Sequence, residues 1–252
     1  MASKSKKLGN SFRTQNLVKP QLAFLHKPTN NATGPWKPLL RSKPHAIVPL
    51  EKSLVAIADE LQQKQHKHPY ETEIQQLQYP VAVYKKADPI PYLPVESTSA
   101  TFVDTYEGVL EMLKELKTAD EIAVDLEHHD ARSYIGLVSL MQISTRKKDW
   151  IVDTLRPWRQ DLQVLNEVFA DPKILKVFHG AYMDIVWLQR DLGLYVNGLF
   201  DTHHACRVLG YPGGSLAYLL KRFIDFDADK KYQMADWRIR CVHRSRTQTN
   251  LC

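Results

Sequence analysis

Residues 123–129 read AVDLEHH. Within EIAVDLEHH, apolar and other side chains alternate as they do along a β-strand. Residues two apart on a strand share a face. Asp125 and Glu127 therefore project together, while Val124 and Leu126 fill the opposite side. Two carboxylates held this close and partly buried repel one another, and burying them without a positive partner is costly. A divalent cation between them resolves the conflict, and hard oxygen ligands suit Mg²⁺ or Mn²⁺. A strand edge with both acids in solvent satisfies the same spacing.

The flanking sequence extends this strand into a sheet. GLVSLMQIST (136–145) and DWIVDT (149–154) read as two further strands, with turns at 133–136 and 146–148. Upstream, DTYEGVLEMLKELK (104–117) carries Val109, Leu110, Leu113 and Leu116 on one helical face. Downstream come a helix at about 159–170, the strand ILKVFHG (174–180), a helix from Ala181 to Asp191 and a strand at 195–200. Helices follow through DTHHACRVLG (201–210) and at 214–223 and 229–236. Three meandering strands followed by alternating helix and strand predict a mixed α/β sheet of about five strands, flanked by helices. Asp184 falls in the first turn of the 181–191 helix, where a sheet of this class places ligands. An acid favoured by the helix dipole would sit there too.

Residues 1–96 are punctuated by eleven prolines from Pro20 to Pro94, which break helices and remove ladder donors. One helix is expected in LEKSLVAIADELQQK (50–64), and the rest reads as an extended, wrapping segment. Charge is unevenly spread. Residues 1–50 hold nine Lys or Arg and no acid, and 238–252 hold four Arg and no acid. The formal net charge of +6 thus conceals a middle of 21 basic and 28 acidic residues, a net of −7. Basic ends on an acidic body suit a nucleic-acid handler; they also suit a solubilising tail or, at Lys4, Lys6 and Lys7, a nuclear-import signal. No apolar run approaches the roughly 18 residues of a membrane span. No apolar stretch follows the basic start, so no secretion signal is read. The three cysteines, Cys206, Cys241 and Cys252, have neither disulfide count nor metal spacing, which favours a reducing compartment.

AVDLEHH, LMQIST, FHGAYMDIVWLQRDLGLYVNGLFDTHHA and ADWRIR, in this order over about 101–240, resemble the RNase D branch of the DEDD 3′→5′ exonucleases. The likeness is greatest to members associated with the nuclear RNA exosome. KPQLAF (19–24) and HPYETEI (68–74) resemble the region preceding that catalytic domain. The resemblance implies an RNase H-like sheet and two-metal hydrolysis of single-stranded RNA from its 3′ end, in the nucleus and alongside the exosome core. It assigns Asp125 to both ions, Glu127 to the ion that activates water and Asp184 to the second. It divides the chain into a basic segment (1–96), an exonuclease domain (97–240) and a tail outside the likeness (241–252).

His128, His129, His179, Trp237 and Arg238 are candidate RNA contacts. Trp237 and Arg238 are equally well read as a packed ring beside a solvated guanidinium. Zinc is disfavoured, because no Cys or His spacing suits it. His203 and His204 diverge by about 100° on their helix, which argues against a soft-metal site with Cys206. Asp201 and Thr202 read as a helix cap, and Trp187 and Leu188 as a core face. The family's fourth motif, a Tyr with an Asp four residues later, is expected shortly after ADWRIR, but CVHRSRTQTNLC contains neither. That departure predicts weak or absent turnover. Two rivals stand beside the exoribonuclease reading. One is a non-catalytic module binding RNA or the exosome; the other, a DNA-directed proofreading exonuclease, matches 123–145 and 178–202 less well.

Overall fold

The computed structural model describes residues 18–27, 34–54, 56–58, 64–94, 97–130, 133–228 and 235–240. Its first helix, α1 (Leu50–Ser53), ends far short of the helix expected over 50–64. The Ser53 hydroxyl turns back onto the carbonyls of Pro49 and Val48, competing with helix continuation. Strands β1 (Ala56–Ala58) and β2 (Lys64–His66) then pair antiparallel. An amphipathic pattern alone does not hold a helix, whose stability in proteins comes mostly from packing. Helix α2 (Glu71–Gln75) follows.

A six-stranded mixed sheet forms the centre. Its strands are β3 (Ala100–Val103), β4 (Glu121–His129), β5 (Leu137–Ser144), β6 (Asp149–Asp153), β7 (Leu175–Phe178) and β8 (Leu199–Asp201), in the order β3-β6-β5-β4-β7-β8. β5 runs antiparallel to β4 and β6; the β3–β6, β4–β7 and β7–β8 pairs are parallel. The expected five strands become six because β3 is short and buries only Val103, too little to register as alternation. The strand expected over 195–200 shrinks to β8 for a different reason. Its first N–H groups serve residues 166–169: Tyr195 donates to Asn166 Oδ1 and Asn197 to Phe169 O.

Helix α3 (Tyr106–Leu116) starts on Thr105, whose hydroxyl accepts the Gly108 N–H, and lays Val109, Met112, Leu113 and Leu116 against the sheet. Helix α4 (Asn166–Phe169) continues a 3₁₀ segment at 159–165. Helix α5 (Tyr182–Trp187) widens into a single π turn (Leu188–Leu192), closed by left-handed Gly193. Helices α6 (Thr202–Val208) and α7 (Leu216–Ile224) complete the described fold. Of the helix expected over 229–236, residues 229–234 lie outside the described residues, and 235–236 are not helical. The tail at 241–252 and the cluster at Lys4, Lys6 and Lys7 also lie outside them. No described helix is long and apolar enough to cross a membrane.

The segment before the sheet is bound to it over a long path. Phe24 is buried beneath the Arg159 guanidinium, 4.7 Å from ring centroid to Cζ, and Leu25 donates to Pro157 O. Tyr70 is sealed against Ala170 and Tyr195. Burying such a side chain contributes about 1.5–3 kcal/mol. Arg41, His45, His68 and Tyr79 each reach polar groups of the helices and of β8 about 120 positions later. Lys43 and Glu73 form an ion pair at 2.7 Å with both side chains 2% exposed.

Candidate active site

β4 delivers Asp125 and Glu127 to one face, with Val124 and Leu126 buried behind them. A register shift between Glu127 and His128 marks a bulge at the strand's end, a device that re-aims side chains beside functional clefts. The neighbouring parallel strand β7 ends at Phe178, and Gly180 turns the chain through φ +73 into α5, whose first turn carries Asp184. That turn is fixed from β8. Asp201 Oδ1 accepts the Gly180 and His203 N–H groups, and Oδ2 accepts that of Ala181. Burial alone would raise the Asp201 carboxyl; those three donors outweigh it and hold it below the ordinary range.

The other three carboxylates are perturbed in the opposite sense. Burial, then Asp125, then Asp184 push Glu127 up to about 7. Burial, then Asp125, push Asp184 up to about 6, with Asp201 adding to the effect. Asp125 is open to the cleft, yet the dense walls around it raise its carboxyl, against the pull of the Leu126 N–H and His179. β4 and the first turn of α5 thus bring the three carboxylates near enough to repel one another. Among the described residues none of them forms an ion pair, and no three His, Cys, Asp or Glu side chains are gathered around one point closely enough to hold a metal ion. The donor set nevertheless fits a hard cation in charge and chemistry: three carboxylates, mutually repelling, with no lysine or arginine paired to them among the described residues.

A sequence profile described as 3′-5′ exonuclease matches residues 100–250. The chain belongs to the 3′-5′ exonuclease family. It is 51% identical over 241 residues to the exosome complex exonuclease RRP6 of Saccharomyces cerevisiae, covering 95% of this chain and 33% of that one. It is 42% identical to exosome complex component 10 of Homo sapiens, over 91% of this chain and 29% of that one. The chain thus spans about a third of the length of these relatives. The crystal structure of the catalytic core of RRP6 from Trypanosoma brucei superimposes with a TM-score of 0.75 at 38% identity, over 90% of this chain and 59% of that one. The sheet is therefore the RNase H-like exonuclease fold that the resemblance implied.

In this exonuclease domain the remaining candidates are partnered. The His128 ring stacks on Trp187 at 4.1 Å and 2°. His129 lies 3.4 Å from Asp236, which Arg238 grips at two points, 2.9 and 2.7 Å. Arg240 reaches Asp153 and the Ser139 carbonyl, so 235–240 is fastened along the sheet, with Trp237 half-buried in it. Arg238 is therefore engaged inside the protein. His179 Nδ1 lies 2.9 Å from the Thr202 hydroxyl, which itself donates to Phe178 O. Leu188 is core, as expected; Trp187 is only half-buried, and its stack was not legible in the sequence. Asp201 caps α6 as expected, but its hold on 180–181, twenty positions away, left no local signal.

Proposed function

We propose that this domain removes nucleotides from the 3′ ends of single-stranded RNA, using Mg²⁺ or Mn²⁺, in the nucleus and together with the RNA exosome core. The observation that carries the reading is the set of three mutually repelling carboxylates, none ion-paired among the described residues, in a domain of this family. The names of the relatives support the exosome as a partner, the motif likeness at 123–145 and 178–202 supports RNA, and Lys4, Lys6 and Lys7 suit nuclear import. Asp125 and Glu127 would hold one cation and Asp125 and Asp184 a second. Such a pair of cations stabilises both the attacking and the leaving oxygen of an in-line displacement. The protein's own part is to present Asp125 and Glu127 on one face of β4 and to fix the turn that carries Asp184 through Asp201.

Residues after Asp236 include no Tyr and no Asp, so these 252 residues supply three carboxylates and slow turnover is expected. The same observation supports a second reading, a module that binds RNA or the exosome without cleaving. Incubating the chain with 3′-labelled RNA and DNA, with Mg²⁺, Mn²⁺ or EDTA, tests both. Metal-dependent release of mononucleotides from RNA alone supports the enzyme. RNA binding without release supports the module, and equal release from DNA overturns the RNA assignment.

Two further outcomes are expected. Glu127 at about 7 and Asp184 at about 6 carry protons near pH 6 that an incoming cation must displace. Mn²⁺ binding at pH 6 should therefore release protons, seen as titration heats that depend on the buffer's ionisation enthalpy. The dependence should vanish near pH 8; its absence at pH 6 would remove the assignment. Both carboxyls keep protons in the folded protein that they lose on unfolding. Their contribution to metal-free stability is thus fullest at acid pH and is lost as pH rises through about 7.

The second outcome concerns salt. Arg41 pairs with Asp161 and Lys43 with Glu73, so part of the basic segment is engaged with the domain. Residues 1–17 carry four Lys or Arg and no acid. Deleting them should flatten the slope of log affinity for single-stranded RNA against log salt by up to about 3, if each charge displaces a counterion at about 0.7 per phosphate. An unchanged slope would show that this stretch does not touch RNA.

A further inference from the structure

The bulge after Glu127 directs His128 across the cleft wall onto Trp187, their rings 4.1 Å apart and parallel within 2°. His128 adjoins Glu127 in β4, and Trp187 lies one helical turn after Asp184 in α5. The stack therefore joins the two elements that carry the acids. The far side of the imidazole is fitted just as closely. A Cβ on Gly136 would lie 2.1 Å from His128 Cε1, so only glycine leaves room for the ring, and Gly136 sits at φ +66.

The stack is gripped from behind. Arg190 Nη2 lies 3.4 Å from His128 Nε2 and donates to Gly136 O, while Nη1 donates to Ile135 O at 2.7 Å. Arg190 Nε is held by Asp191 Oδ1, and Asp191 Oδ2 accepts the Val138 N–H and Arg159 Nη2. Arg190 and Asp191 occupy the π turn that continues α5, the kind of irregularity that recurs at functional sites. The end of the β4–β5 hairpin is thus tied to α5 by a flat stack and a fork of hydrogen bonds, with the carboxylates at its edge.

We propose that His128, Trp187 and Arg190 form a clamp that sets the separation of Glu127 from Asp184, making them positioning residues for cation binding. This rests on the reading of the cleft acids as cation ligands. A planar stack resists both sliding and separation, and groups supporting metal ligands typically alter affinity about 10- to 100-fold when removed. The clamp also gives His128 a task other than touching RNA.

The test is Mn²⁺ titration calorimetry on the whole chain, with circular dichroism to confirm folding. His128→Ala should weaken Mn²⁺ about 10- to 100-fold. His128→Phe keeps a flat ring against Trp187 and should stay within about threefold of the unaltered chain, because the stack rather than the imidazole nitrogen does the positioning. Arg190→Ala removes the grip without touching the stack and should also weaken binding, which keeps the test open if His128→Ala does not fold. Unchanged Mn²⁺ affinity in both His128→Ala and Arg190→Ala would overturn the clamp alone. Equal loss in His128→Ala and His128→Phe would overturn it in favour of the nitrogen. If the unaltered chain takes up no Mn²⁺, the cation reading falls, and the clamp with it.

Discussion

Asp125→Asn should abolish Mn²⁺ and Mg²⁺ binding, or weaken it by about 100-fold or more, and reduce any nucleotide release by about 10²–10³-fold. Asp125 is the carboxylate that raises both Glu127 and Asp184, so its charge is felt by both. An amide offers one weaker oxygen and no charge. The same exchange removes the repulsion that the metal-free cleft endures, so Glu127 and Asp184 should titrate at lower pH. The metal-free variant should also melt above the unaltered chain near pH 8. Calorimetric titration and thermal melts, with and without Mn²⁺, read the two effects together. Retained Mn²⁺ heats, or a lower metal-free melting temperature in a correctly folded variant, would refute this role of Asp125.

The second large effect concerns stability. Lys43→Met should cost about 3–5 kcal/mol, because it strands the buried Glu73 carboxylate. For a chain of this size that lowers the melting temperature by about 10 °C. Glu73 is sealed from water but lies near the periphery, under a thin layer of protein. Burial would raise its carboxyl; hydrogen bonds from Lys43 and from the Val48 and Ile47 backbone outweigh that and hold it below the ordinary range. Without Lys43 the two backbone donors remain, so adding Glu73→Gln should recover much of the loss by removing the charge while keeping the acceptor. If the single variant melts within 2 °C of the parent, about 1 kcal/mol or less, the pair contributes little.

How far these features could be read without coordinates depended on their range along the chain. β4, β5 and β6 are long enough to show alternation, and the shared face of Asp125 and Glu127 follows from strand geometry alone. Asp184 was placed by the first turn of a helix after an apolar strand. Its approach to β4 needed the β4–β7 pairing, which connects residues more than fifty positions apart. β3 was missed because a single buried residue carries no period. The helix over 50–64 failed because its pattern was amphipathic in sequence but Ser53 interrupts it and β1 pairs with β2. The His128–Trp187 stack, the Arg190 fork and the second task of Asp201 are contacts across twenty to sixty positions. Residue types at such distances are compatible with many partners.

The seams between the leading segment and the exonuclease domain also bear on the order in which the protein is made. Arg41 waits for Gln163, His45 for the carbonyl of Glu167, His68 for Gln189 and Tyr79 for the carbonyl of Leu199, each about 120 residues behind. At about 5–20 residues per second the ribosome delivers those partners roughly 6–24 s later. Lys43 meets Glu73 after only thirty residues, so that pair is available early, while Phe24, Tyr70 and their neighbours remain without a surface to cover. The leading third of the chain is synthesised first but seated only once residues 163–199 have emerged, and during that interval its apolar side chains are exposed to chaperones.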